Sequence, residues 1–248
     1  MSFEGKAVIV TGGGSGMGKA SALSFAERGA NVLVADISGD SAEKTVEEIT
    51  AAGGKAYAHT FDLRDRDQVV GMIAAGVEQL GGLDVLANVG AISANQSVEE
   101  MTLEFWENMQ TTNLRGNMLG MQAAIPHLRE RNGSIVNVAS GAAFYAVPGL
   151  AAYSASKAGL IAMGRVLAQE NAPYIRVNAV LPGPTKSAMS DGVKSTAAVA
   201  AKRAAVGQTI GRWLDPSEIA DVVVWVSSDA ARAVNGALFR VDGGHHML

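Results

Sequence analysis

The sequence predicts an α/β domain of the doubly wound class, with about seven parallel strands and helices on both faces. Three observations predict it. Short apolar, β-branched runs alternate with longer segments of helical spacing along most of the chain, and each parallel neighbour needs such a crossover. The strand candidates are continuous apolar runs, as strands buried on both faces are. The unusual residues cluster where these runs end, the edge at which open α/β sheets bind ligands.

Taken in order, residues 6–11 form an apolar run that ends in glycines, and 16–28 carries helical spacing through Ala20, Leu23 and Ala26. The run 31–35 follows, with Asp36 at its end, and then an Ala/Glu-rich helix at 41–52 closed by Gly53 and Gly54. The alternation continues as strand 56–60, helix 65–80, strand 85–88, a long helix at 102–131 and strand 134–139. Helix 151–170 precedes strand 175–181, and Pro182-Gly183-Pro184 stops regular structure. Residues 185–213 read as irregular or weakly helical, with a substrate lid expected at about 184–213. Pro216 opens a helix to residue 228, and 237–241 is the last strand.

With 248 residues, 48% of them apolar and 18% charged, the chain can bury one sizeable core. No repeat or linker divides it, so a single domain over 1–248 is expected. Zero cysteines exclude disulfides, thiolate metal sites and a cysteine nucleophile. A net charge of -4 argues against nucleic acid as the main partner. Apolar runs such as 7–10 and 222–226 are far shorter than the ~20 residues of a membrane helix. The start, Met1-Ser2-Phe3-Glu4-Gly5-Lys6, has no charged segment followed by an apolar one, so the cytoplasm is the expected location. His59, His127, His245 and His246 are too scattered to suggest a metal, and none is expected.

The stretch Thr11-Gly12-Gly13-Gly14-Ser15-Gly16-Met17-Gly18 lies at the first strand-to-helix junction. Glycines let the backbone approach a pyrophosphate, and the helix N-terminus turns N–H groups and a positive dipole end towards it. Asp36, ending the second strand, can accept hydrogen bonds from a ribose 2′-hydroxyl and would repel a 2′-phosphate. Neither Ser15 nor Ile37 nor Asp40 brings a positive charge to reverse this, so NAD is expected rather than NADP. Further along, Tyr153 and Lys157 stand four apart on a predicted helix and so share one face. A phenol is a poor base at neutral pH, and a nearby ammonium would stabilise the phenolate and bring its pKa towards the working range.

TGxxxGxG at Thr11 to Gly18, Asp62-Leu63, Asn88, Asn113, Ser140 and YxxxK at Tyr153/Lys157, in this order and spacing, resemble the short-chain dehydrogenase/reductase family. The match runs from about Lys6 to Gly244. The resemblance implies a Rossmann-like fold and an oxidoreductase that interconverts a secondary alcohol and a ketone. It makes Tyr153 the general acid/base, Lys157 the residue that lowers the tyrosine pKa and holds the nicotinamide ribose, and Ser140 the residue that orients the substrate oxygen. Asn113 would sit at a helix irregularity and hold a water that links Lys157 to solvent. For the cofactor it implies Gly12, Ser15, Gly16, Met17, Gly18, Asp36, Ile37, Asp62, Leu63, Asn88, Gly90, Pro182, Gly183, Thr185 and Ser187. Two departures stand out: Asn88-Val89-Gly90-Ala91 replaces the usual NNAG or NAAG, and Pro184 removes one backbone donor.

Ser93, Ala142, Phe144, Tyr145, Val147, Met189 and Trp213 would line a pocket suited to a carbocyclic or moderately apolar alcohol or ketone. Lys186, Lys194, Lys202 and Arg203 could meet an anionic carrier, which keeps a 3-oxoacyl thioester reductase as the alternative. That activity usually prefers NADPH, and Asp36 speaks against it. A non-catalytic nucleotide sensor is the alternative of another class, disfavoured because Asn113, Ser140, Tyr153 and Lys157 are all present. Helices 102–131 and 151–170 carry apolar residues on more than one face, through Trp106, Met109, Met118, Met121 and Ile125 on one and Leu160, Ile161, Met163 and Leu167 on the other. Related enzymes pair these helices, and a homotetramer is expected.

Overall fold

A computed structural model describes residues 1–186 and 210–245. Its strands are β1 (Ala7–Thr11), β2 (Asn31–Asp36), β3 (Lys55–Thr60), β4 (Val85–Asn88), β5 (Ser134–Val138), β6 (Arg176–Pro182) and β7 (Leu238–Val241). They form one sheet of order β3-β2-β1-β4-β5-β6-β7 in which every pairing is parallel. The helices are α1 (Gly16–Ala26), α2 (Gly39–Ala51), α3 (Arg66–Leu80), α4 (Leu103–Gln110), α5 (Asn117–Glu130), α6 (Ala151–Glu170) and α7 (Pro216–Ser227).

Alternation along β1 divides the core. Val8 and Val10 pack with Phe25 of α1 and with Ile219 and Val223 of α7. Ile9 packs on the opposite face with Met72 and Ile73 of α3, Met121 and Leu128 of α5 and Leu160 of α6. The central strands β1, β4 and β5 are buried throughout. The expectation of continuous burial fails at the sheet edges, where β3 and β7 are only partly covered because each has a neighbour on one side only.

Residues 102–131 do form one long helical segment, but it is not uniform. α4 passes into a π-helical turn at Thr111–Gly116, and α5 continues from there. Asn113 lies inside that turn, the irregularity that the family resemblance implies. The registers Thr11↔Asn88, Asn88↔Asn137, Val138↔Val180 and Pro182↔Val241 bring the carboxyl ends of five strands to one edge.

Candidate active site

At that edge the loop from β1 to α1 crosses the loop after β4. The Thr11 hydroxyl accepts from the N–H groups of Val89 (3.0 Å) and Gly90 (3.1 Å), tying the two loops together. Gly12 has φ +67°, and a Cβ there would lie 2.7 Å from the Gly90 Cα. A Cβ on Gly18 would lie 1.9 Å from the Gly12 carbonyl oxygen, so only glycine lets the turn and helix close this tightly. Ser15 stands extended at the start of α1 without capping it by its side chain, and the first turn contains no acidic residue. The positive end of this helix is therefore left open to an anion.

A cleft of about 400 Å³ opens here, lined by the expected Gly12, Ser15, Gly16, Met17, Gly18, Asp36, Ile37, Asp62, Leu63 and Gly90. The Asp36 carboxylate accepts from the N–H of Gly14 and the N–H of Ser38, both at 2.9 Å, which fixes its orientation. The glycine turn, the open helix end and this anchored carboxylate fit a dinucleotide. Sequence reasoning missed Phe61, Arg64, Asn108 and Thr112, which line the same cleft. Arg64 brings a positive charge to the cleft that Asp36 also lines. It is tied to Asp62 by an ion pair of 2.6 Å that holds the Asp62 carboxyl below the usual carboxylate range. Thr112 was detectable only as the neighbour of Asn113; its buried hydroxyl has no hydrogen-bond partner among the described residues.

Other expected contacts lie elsewhere. Asn88 is buried, and its side-chain amide donates to Asn137 Oδ1 at 2.9 Å, within the sheet rather than in the cleft. Pro182 ends β6, the Gly183 N–H donates to the Val241 carbonyl at 2.9 Å, and Thr185 Oγ1 donates to the Gly183 carbonyl at 2.9 Å. These positions lie at the same sheet edge but not among the residues lining this cleft. Ser187, Met189, Lys194, Lys202, Arg203 and His246 lie outside the described residues, as does most of the lid expected at about 184–213. Lys186 is paired with Asp215 at 2.8 Å.

Beside the cleft, Tyr153 occupies the first turn of α6 and Lys157 the second. Lys157 is 2% exposed and donates from Nζ to the Val138 carbonyl at 2.8 Å, with Nζ 5.8 Å from the centre of the Tyr153 ring. Ser140 follows β5, accepts from the Ala142 N–H at 3.2 Å and is hydrogen-bonded to Tyr153. The same hydroxyl thus caps the turn after β5 and reaches the tyrosine.

One expectation needs correction. Burial pushes the Tyr153 pKa up, and the Ser140 hydrogen bond opposes this. Burial also lowers Lys157 to about 8. The expected acidification of the phenol by its ammonium neighbour is thus not a property of this protein alone, because desolvation penalises both charged forms. The Asn113 amide is engaged by protein: Oδ1 accepts from the Ile92 N–H and Nδ2 donates to the Ile92 carbonyl, each at 2.9 Å. Nδ2 also reaches Ser156 Oγ at 3.2 Å, and Ser156 donates to the Tyr153 carbonyl at 2.7 Å. Asn113 thereby clamps the loop after β4 to the tyrosine's own helix. Ser156, unnoticed between Tyr153 and Lys157, completes the connection.

Of the residues expected to line a substrate pocket, the aromatic Phe144, Tyr145 and Trp213 are all described. Phe144 is 53% and Trp213 40% exposed, and the Arg240 guanidinium lies 5.7 Å from the centre of the partly buried Tyr145 ring.

A cleft that fits a dinucleotide and, at the same sheet edge, a Ser–Tyr–Lys cluster with a buried lysine define an oxidoreductase that works with a nicotinamide dinucleotide. A profile of the family described as enoyl-(acyl carrier protein) reductase matches residues 12–246. The chain is 37% identical to the 3-oxoacyl-(acyl-carrier-protein) reductase FabG of Thermotoga maritima, over 98% of this chain and 99% of that one. It is 36% identical to the 2,5-dichloro-2,5-cyclohexadiene-1,4-diol dehydrogenase LinX of Sphingobium indicum, over 98% and 96% respectively. The crystal structure of a short-chain dehydrogenase from Burkholderia cenocepacia in complex with NADP superposes with a TM-score of 0.91 at 32% identity, covering 99% of each chain. The chain belongs to the short-chain dehydrogenase/reductase family.

Proposed function

We propose that this protein is an NAD(H)-dependent dehydrogenase that interconverts a secondary alcohol and a ketone on a mostly apolar or cyclic molecule. The observation that carries the reading is the cluster of Ser140, Tyr153 and buried Lys157 at the edge where the nucleotide cleft opens. The bound dinucleotide supplies or accepts the hydride. In reduction, Ser140 orients the carbonyl oxygen and Tyr153, whose pKa burial pushes up, gives that oxygen its proton. In oxidation the same hydroxyl must first lose its proton, so the Lys157 charge beside it acts on this step. Asn113, through Ser156, is a positioning residue for Tyr153.

The preference for NAD rests on Asp36, whose carboxylate faces the cleft where a 2′-phosphate would be repelled, while Arg64 is engaged by Asp62. The exposed aromatic side chains of Phe144 and Trp213 and the similarity to a dehydrogenase of a cyclohexadiene diol support a cyclic or apolar substrate. Reduction of a 3-oxoacyl thioester is the second reading, favoured by the FabG relative. The same proposal includes a homotetramer in the cytoplasm. Met109, Met121, Leu160 and Ile161 are spent on the core, whereas Leu103, Trp106 and Val166 stay exposed on α4 and α6 and could meet other copies.

Calorimetric titration with NADH and NADPH, followed by assay of cyclic alcohols and of a 3-oxoacyl thioester, tests the reading. Tighter NADH binding and turnover of the cyclic alcohols are expected. Tighter NADPH binding with turnover of the thioester alone would replace this reading by the second.

A further inference from the structure

At the opposite edge of the sheet, where the strands begin, lies a second cleft of about 280 Å³. Lys6, Arg131, Arg176 and Arg232 line it against two carboxylates, Asp84 and Asp229. The cations are incompletely neutralised. Asp84 is shared, taking Lys6 at 3.0 Å and Arg131 at 3.9 Å. Arg176 uses its two terminal nitrogens on the carbonyls of Val226, Ser227, Ser228 and Val234, which accept hydrogen bonds without cancelling its charge. Arg232 makes one long bond of 3.4 Å, to the Asp229 backbone carbonyl.

A second observation is independent of the charges. Ser134, at the start of β5, lines this cleft and is 2% exposed, and its hydroxyl has no hydrogen-bond partner among the described residues. A buried hydroxyl without a partner costs stability unless something else satisfies it. Two surplus positive charges, guanidinium donors and a spare hydroxyl in a largely polar cleft match a doubly charged oxyanion. The space exceeds that of a bare anion.

We infer that this cleft binds a small phosphate-bearing anion, at a site separate from the dinucleotide cleft. Ser134 and Arg232 contact the phosphate, and Lys6 and Arg131 supply the surrounding positive field. The site needs no part of the catalytic cluster, so it stands apart from the substrate assignment.

Titration calorimetry of the full chain with inorganic phosphate tests this, at constant ionic strength against chloride and with saturating NADH or NADPH, whichever binds more tightly. Saturable phosphate binding is expected with the dinucleotide in place, and about tenfold weaker binding in Arg232→Ala. Ser134→Ala provides a second readout, with weaker phosphate binding at an unchanged or raised Tm, because it removes the orphan hydroxyl. No saturable binding, loss of binding when the dinucleotide is present, or equal affinity in wild type and Arg232→Ala would overturn the inference.

Discussion

Helices α1 and α6 start differently from α2, α3, α4 and α7. Ser38 caps α2 by accepting from the Ser41 N–H, Asp65 caps α3 through the N–H groups of Asp67 and Gln68, and Thr102 caps α4 through that of Phe105. In α7 the Glu218 carboxylate returns to the Asp215 N–H at 2.8 Å. Each of these four helices also carries an acidic residue in its first turn. α1 and α6 have neither a side-chain cap nor an acidic first turn. Caps and acids stabilise a helix start, so their absence at these two is a cost. It coincides with function. A carboxylate on α1 would sit where the glycine turn opens to an anion, and one on α6 would stand beside Tyr153 and raise its pKa further.

The contrast can be broken in four ways, taken from the largest expected effect. Tyr153→Phe should lower turnover by roughly 10²–10⁴-fold, with dinucleotide affinity and Tm held, as read by initial rates, calorimetry and thermal melts. Surviving turnover would mean that the open start of α6 serves no proton transfer.

Lys157→Met addresses the buried ammonium itself. With its pKa lowered from 10.5 to about 8, the unfolded chain binds more protons than the native one between these values, so this group's contribution to stability rises with pH across that window. Below it the cost of burying the charge is fully present. Denaturant unfolding at several pH values should therefore show wild type gaining on Lys157→Met from pH 8 to 10.5, and parallel curves would refute the burial argument.

Met17→Asp sharpens the comparison at α1 by giving its first turn the acid that the four capped helices have. The fold should gain roughly 0.3–1 kcal/mol from the helix dipole, while NADH binds about tenfold more weakly. Stability and affinity moving in the same direction would contradict the account of the uncapped start. The smallest effect is expected on the capped side, where Thr102→Ala should cost about 1 kcal/mol in denaturant unfolding and leave kcat/KM unchanged.

Much of the fold was legible because its signals are local. Val85–Asn88 and Ala151–Glu170 fall where hydrophobic runs and glycine punctuation place them. Asp36 and the glycine turn were legible as a candidate cofactor site because backbone conformation and a strand end are short-range matters. Arg64 was not, since the motif at that strand end stops at Asp62-Leu63 and the arginine's place in the cleft is set by side-chain packing. The π-turn was marked only by an asparagine in a helix. Its partner, the Ile92 backbone, lies 21 positions away.

The sequence by itself determined the class of fold, the glycine cradle, the acidic end of β2 and the four-residue spacing of tyrosine and lysine, because each depends on residues near one another in the chain. Only the tertiary structure decided how those groups ionise and whom they touch. Burial of Lys157 behind β5, the turning of Asn88 towards Asn137 and the meeting of four cations around Ser134 arise from packing between distant segments. Desolvation and long-range contact have no signature in local sequence.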